Sequence, residues 1–131
     1  MSNRPESEID SNGRTILSAG HNSALLRARN ALIQTAGYQV VTTRESGLLL
    51  ELVRKKHFDA VVLCSSIPAH LRKNMARELK ELKPALPLIV LCSAAEQRQF
   101  QSLADETVIA EHGVSQPLLQ AISRAAGGPD D

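Results

Sequence analysis

The chain has 131 residues, enough for one domain around a two-sided core, with little length left for a separate output domain. Its 15 basic and 14 acidic residues leave a formal net charge of +1, which gives no electrostatic footing on nucleic acid or an anionic membrane. Aromatic residues make up 2% and Trp is absent, which argues against base-stacking platforms, and no apolar run approaches the roughly 20 residues of a bilayer span.

Residues 1 to 13 mix Ser, Asn, Glu, Asp, Pro and Gly and read as a disordered tail, with nothing of a signal peptide in them. Arg14 to Ala19 is a short strand centred on Ile16-Leu17. Asn22 or Ser23 caps the next helix, whose apolar stripe is expected at Leu25, Ala28, Leu32 and Ala36, with Gly37 as the stop. Tyr38 to Thr43 is rich in β-branched residues and forms a second strand. Glu45 to Lys56 reads as a helix with Leu48, Leu49, Leu52 and Val53 on one stripe. Asp59 to Cys64 is continuously apolar after its first residue, which suits a parallel strand covered on both faces.

A third helix runs from about His70 to Leu82, with Leu71, Met75, Leu79 and Leu82 inward. Its basic stretch, Arg72 to Arg77, is expected to be a solvated face balanced by Glu78 and Glu81. Leu88 to Cys92 is a second fully apolar strand, Ala94 to Leu103 a weak polar helix, and Thr107 to Ala110 a fifth strand. Ser115 caps the last helix, Pro117 is tolerated in its first turn, and Leu118, Leu119, Ile122 and Ala126 make its apolar face. Residues 127–131 read as a flexible end, so the folded domain is expected over 14–126. Regular strand–helix alternation predicts a single α/β domain built on a doubly wound parallel sheet. Ligands in such sheets bind beyond the carboxyl ends of the strands, which singles out Gly20-His21, Cys64, Ser93 and Glu111.

The order of these pieces resembles the receiver domain of response regulators. The resemblance is carried by Ala36-Gly37-Tyr38-Gln39-Val40, by Asp59-Ala60-Val61-Val62-Leu63 with Ile67-Pro68, by Pro87-Leu88-Ile89-Val90-Leu91 leading to Ser93-Ala94, and by Leu118-Leu119 with Ala121-Ile122. It implies a flavodoxin-like fold with five parallel strands in the order 2-1-3-4-5. It also implies a chemistry. Two acids after the first strand hold Mg²⁺, an aspartate after the third accepts a phosphoryl group, and a Thr or Ser after the fourth and a Lys after the fifth contact its oxygens. Here Gly20 and His21 stand at the acid pair, Cys64 at the acceptor and Ser93 at the hydroxyl. Glu111 stands at the lysine with His112 after it; an alternative register puts Gln116-Pro117 there, and neither supplies a lysine.

The expectation is therefore a degenerate receiver: a non-enzyme in two-component signalling, without catalytic residue, metal or cofactor, that is not phosphorylated conventionally. It would be cytoplasmic and act through contact with signalling proteins or as a homodimer. The contact surface implied by the resemblance is the fourth helix, fifth strand and fifth helix, including Arg98, Phe100 and Gln101. Phe100 is open to two readings, an exposed anchor or a cap on the core. Two other functions stay open: a phosphorelay member modified by an unusual route, and a thiol sensor using Cys64. For Cys64 itself the alternatives are a reactive thiol and a small buried filler. A Zn²⁺ site from His21, Cys64, Glu111 and His112 has suitable residue types but no ligand spacing to support it.

Overall fold

The computed structural model describes residues 13–110 and 115–128. Five strands alternate with five helices: β1 (Thr15–Ala19), α1 (Ser23–Thr35), β2 (Gln39–Thr43), α2 (Ser46–Lys55), β3 (Ala60–Leu63), α3 (Ala69–Leu82), β4 (Leu88–Cys92), α4 (Gln97–Gln101), β5 (Glu106–Ile109) and α5 (Ser115–Ala126). All pairings are parallel and the order is β2-β1-β3-β4-β5, the topology expected from the sequence. Glu111 and His112, and residues 1–12, lie outside the described residues. No helix among the described residues is long and apolar enough to cross a membrane.

Side chains alternate along each strand, so the sheet feeds two apolar layers. Leu17, Val61, Leu63, Leu88, Val90 and Cys92 face α2 and α3. Ile16, Ala60, Val62, Ile89 and Leu91 face α1 and α5. Gly37 ends α1 with φ 103°, a conformation that costs a residue with a Cβ about 1–2 kcal/mol. Gly127 closes α5. Its φ is 87°, its N–H donates to Ser123 O, and its carbonyl accepts from Tyr38 Oη at 2.9 Å.

Four details differ from the sequence reading. In α1 the buried stripe is Leu26, Arg29 and Ile33, one residue out of phase with the expected one, and Leu25 is exposed. In α2, Leu49 and Val53 are buried and Leu48 faces solvent. The fourth helix is a short Gln97–Gln101 segment rather than ten residues. Arg72, assigned to a solvated face, is 2% exposed.

Candidate functional site

The carboxyl ends of β1, β3 and β4 form the cleft where this architecture places ligands. At the end of β1, the Gly20 N–H donates to Thr43 O, which draws the backbone against β2. A Cβ built on Gly20 would meet Cys64 Cβ at 3.0 Å, Ser66 Oγ at 3.2 Å and Leu26 Cδ1 at 3.3 Å. Cys64 Cβ sits rigidly on its own backbone, so no side chain enters here without moving the end of β3.

Ser66 is a residue that sequence reasoning missed. Its Oγ accepts from the backbone N–H of His21 at 2.9 Å and of Asn22 at 3.2 Å. One hydroxyl thus joins the loop after β3 to the loop after β1. Asn22 caps α1, its Oδ1 accepting from Leu25 N at 3.0 Å. The His21 side chain is exposed, so only its backbone takes part in the cleft.

Cys64 is 1% exposed, and its N–H donates to Ala19 O at 2.8 Å. Burial pushes its thiol pKa above the ordinary value; the guanidinium of Arg29 and the hydroxyl of Ser18 work the other way and are outweighed. The sulfur is therefore a neutral thiol at neutral pH. Ser18 Oγ and Arg29 Nη1 are buried without a hydrogen-bond partner among the described residues. Cys92 lies in the opposite layer, and the two cysteines form no disulfide with each other.

Ser93, after β4, is engaged in a reciprocal cap. Its N–H donates to Glu96 Oε1 at 3.0 Å, and its Oγ accepts from Glu96 N at 3.2 Å. Glu96 is held in turn by Arg72, whose Nη2 lies 3.0 Å from each carboxylate oxygen. Burial works to raise the Glu96 pKa, but the Ser93 N–H and the Arg72 guanidinium outweigh it and hold the carboxyl below its ordinary range. Arg72 also donates Nε to Ile67 O and Nη1 to Leu91 O, both at 2.7 Å, and its guanidinium lies 4.9 Å from the centre of the Phe100 ring. One side chain from α3 thereby ties together the loop after β3, the end of β4 and the loop before α4.

Phe100 is fully buried and packs with the α2/α3 layer, so it caps the core and is no exposed anchor. Arg98 and Gln101 are exposed on α4. The structure thus brings Gly20, Cys64 and the backbone of His21 together, holds Ser93 in a cap on Glu96, and leaves Glu111 outside the described residues.

No family model matches the sequence, and no curated protein sequence does. Solved structures match its fold. A response-regulator receiver domain from Clostridium thermocellum aligns with TM-score 0.75 and 22% identity over 86% of this chain and 94% of the other. The response regulator TrrA from Thermotoga maritima, solved in complex with Mg²⁺–BeF, aligns with TM-score 0.75 and 20% identity over 86% of this chain and 98% of its own. The receiver domain of a sensor histidine kinase from Pseudomonas aeruginosa, solved with magnesium coordinated in its active-site cleft, gives TM-score 0.76 and 20% identity over 88% and 99%.

The chain has the receiver fold. Against that frame the cleft does not fit a hard divalent cation. Mg²⁺ requires oxygen ligands in an open octahedral space. Gly20 contributes no side chain, a Cβ there would be crowded by Cys64, Ser66 and Leu26, and Cys64 offers a neutral sulfur. The described residues include no group of three His, Cys, Asp or Glu placed to share a metal, and Glu111 and His112 of the Zn²⁺ reading lie outside them.

Proposed function

We propose that this protein is a receiver-fold signalling protein that takes no phosphoryl group by the metal-dependent route and works through protein–protein contact in the cytoplasm. The observation that carries this is the crowding beside Gly20, which has no side chain to offer and where the Cβ of any other residue would lie only 3.0 Å from Cys64 Cβ. The state of Ser93 supports it. In receivers that hydroxyl contacts the phosphoryl oxygens, and here it is occupied by Glu96 N–H. The buried, neutral Cys64 weighs against a thiol sensor, because the nucleophile would be the thiolate. The proposed partner surface is α4, β5 and α5, with Arg98 and Gln101 exposed on it, engaging a signalling protein or a second copy.

The test is phosphotransfer. Incubation with Mg²⁺ and radiolabelled acetyl phosphate, or with a phosphorylated histidine kinase, is expected to leave the protein unlabelled while a conventional receiver in the same tube is labelled. Stable label on this chain would overturn the reading and favour the unusual phosphorelay route.

A further inference from the structure

The two edges of the sheet are protected differently. On β5, Glu106 is paired with Arg124 at 2.9 Å, and the Gln97 side chain reaches Thr107 at 3.2 Å. On β2 the sequence Gln39-Val40-Val41-Thr42-Thr43 carries no charge and no proline. Natural sheets ordinarily guard an edge of this kind with lysine, proline or a bulge.

The hydrogen-bond pattern fixes which groups this edge offers. Gln39 N donates to Arg14 O, and Thr43 O accepts from Gly20 N, so residues 39, 41 and 43 turn their backbone groups toward β1. By alternation along a parallel strand, the N–H and C=O of Val40 and Thr42 point away from the sheet. Beside them, between α1 and β2, lies a recess of about 310 Å³ lined by Ser23, Leu26, Arg27, Asn30, Thr42 and Arg44. Arg27 and Arg44 are exposed, and neither has an ion-pair partner among the described residues. Among the described residues no acid lines the recess. Asn30 Nδ2 donates to Thr42 Oγ1 at 2.6 Å, while Asn30 Oδ1 is buried without a partner.

We propose that the β2 edge and the Arg27–Arg44 recess form a docking site for an extended, acidic segment of another protein, added as a sixth strand. Main-chain bonds to Val40 and Thr42 would supply the affinity, and acidic side chains entering the recess would set register and choice of partner. Charge complementarity selects this occupant: an uncharged edge flanked on one face by two guanidinium groups without an ion-pair partner among the described residues disfavours a basic strand. The surface lies on the opposite edge from α4, β5 and α5, and the inference holds whether or not the cleft accepts phosphate.

The test uses the full chain and a fluorescein-labelled, acetylated octapeptide alternating valine and glutamate, read by anisotropy. Saturable binding is expected, with none for the same peptide carrying lysine in place of glutamate. Arg27→Gln and Arg44→Gln should each weaken binding about three-fold and together about ten-fold, and added salt should act in the same direction. Val40→Pro should abolish binding yet keep the β1–β2 ladder, because the lost N–H faces solvent. Circular dichroism confirms that each variant is folded. Equal binding of both peptides, or an affinity unmoved by the arginine substitutions, overturns the proposal, as does no binding at all. Competition by inorganic phosphate with no effect of Val40→Pro would make the recess a simple anion site. A concentration-dependent dimer lost in Val40→Pro, without peptide binding, would make the occupant a second copy.

Discussion

Arg72→Met tests whether the guanidinium on α3 is the tie that holds the β4 end of the cleft. Methionine retains most of the apolar stem and its packing, so the loss is confined to the charged head. The head makes bonds of 2.7 Å to Ile67 O and Leu91 O and contacts of 3.0 Å to both oxygens of Glu96. Leaving a buried carbonyl unsatisfied costs about 1–3 kcal/mol, and two are exposed to that loss. The Glu96 side chain is 26% exposed, so it turns to water and adds less than a fully buried partner would. The expected destabilisation is therefore about 3–5 kcal/mol, which lowers Tm by about 10–20 °C in a domain of this size. Acid behaviour gives an independent readout. Glu96 has a folded pKa below its ordinary 4.5, so its contribution is complete above about pH 4.5 and is lost as pH falls through the depressed folded value. Arg72→Met should flatten that acid limb in urea-unfolding free energies measured from pH 3 to 7. A loss under about 1 kcal/mol, with the acid limb unchanged, would refute the idea that Arg72 organises this end of the cleft.

Three further outcomes are expected. Gly20→Asp should destabilise by about 1–3 kcal/mol in chemical denaturation, because its Cβ would be crowded against Cys64, and millimolar Mg²⁺ should shift Tm of neither this variant nor the parent chain. Cys64, with its pKa raised above the ordinary 9.0, favours the protonated folded form: its contribution is complete below about pH 9 and fades as pH rises through the folded value, so Cys64→Ala should flatten the alkaline limb of stability. Phe100→Ala should cost about 3–5 kcal/mol against less than about 0.5 for Gln101→Ala, the contrast expected of a core residue beside a surface one and measurable by thermal melts.

The fold was legible because its signals are periodic. Runs of four to five apolar residues at β3 and β4, with Gly37 and Pro87 as punctuation, leave few alternatives to a parallel sheet. The phase of α1 was misread because an arginine occupies the buried stripe: Leu26, Arg29 and Ile33 keep helical spacing only if Arg29 is counted as an inward residue. The same exception hides Arg72, which is in phase with Met75, Ala76 and Leu79. Composition assigns arginine to solvent, whereas the Arg72 guanidinium satisfies two carbonyls and a carboxylate at once and is stable inside. A usable signal was present in Ser93-Ala94-Ala95-Glu96, a capping-box spacing that locates both the end of β4 and the carboxylate awaiting Arg72. Ser66 had no such signal, because its partners are backbone groups 44 and 45 residues away.

The character of the cleft follows from how its loops are joined. A cation held between the ends of β1 and β3 makes their relation depend on bound charge, so a ligand can favour one arrangement over another. Here the hydroxyl of Ser66 bridges the same two loops with neutral hydrogen bonds internal to the chain. At β4 Ser93, Glu96 and Arg72 bond one another. A ligand shifts a conformational equilibrium only by its differential affinity for the two states, and here Ser66, Ser93 and Glu96 already have partners within the chain. If the proposed reading holds, the protein signals by which surfaces are occupied, and the β2 edge, with its outward backbone groups still unpaired by the sheet, becomes the place where a partner has most to gain.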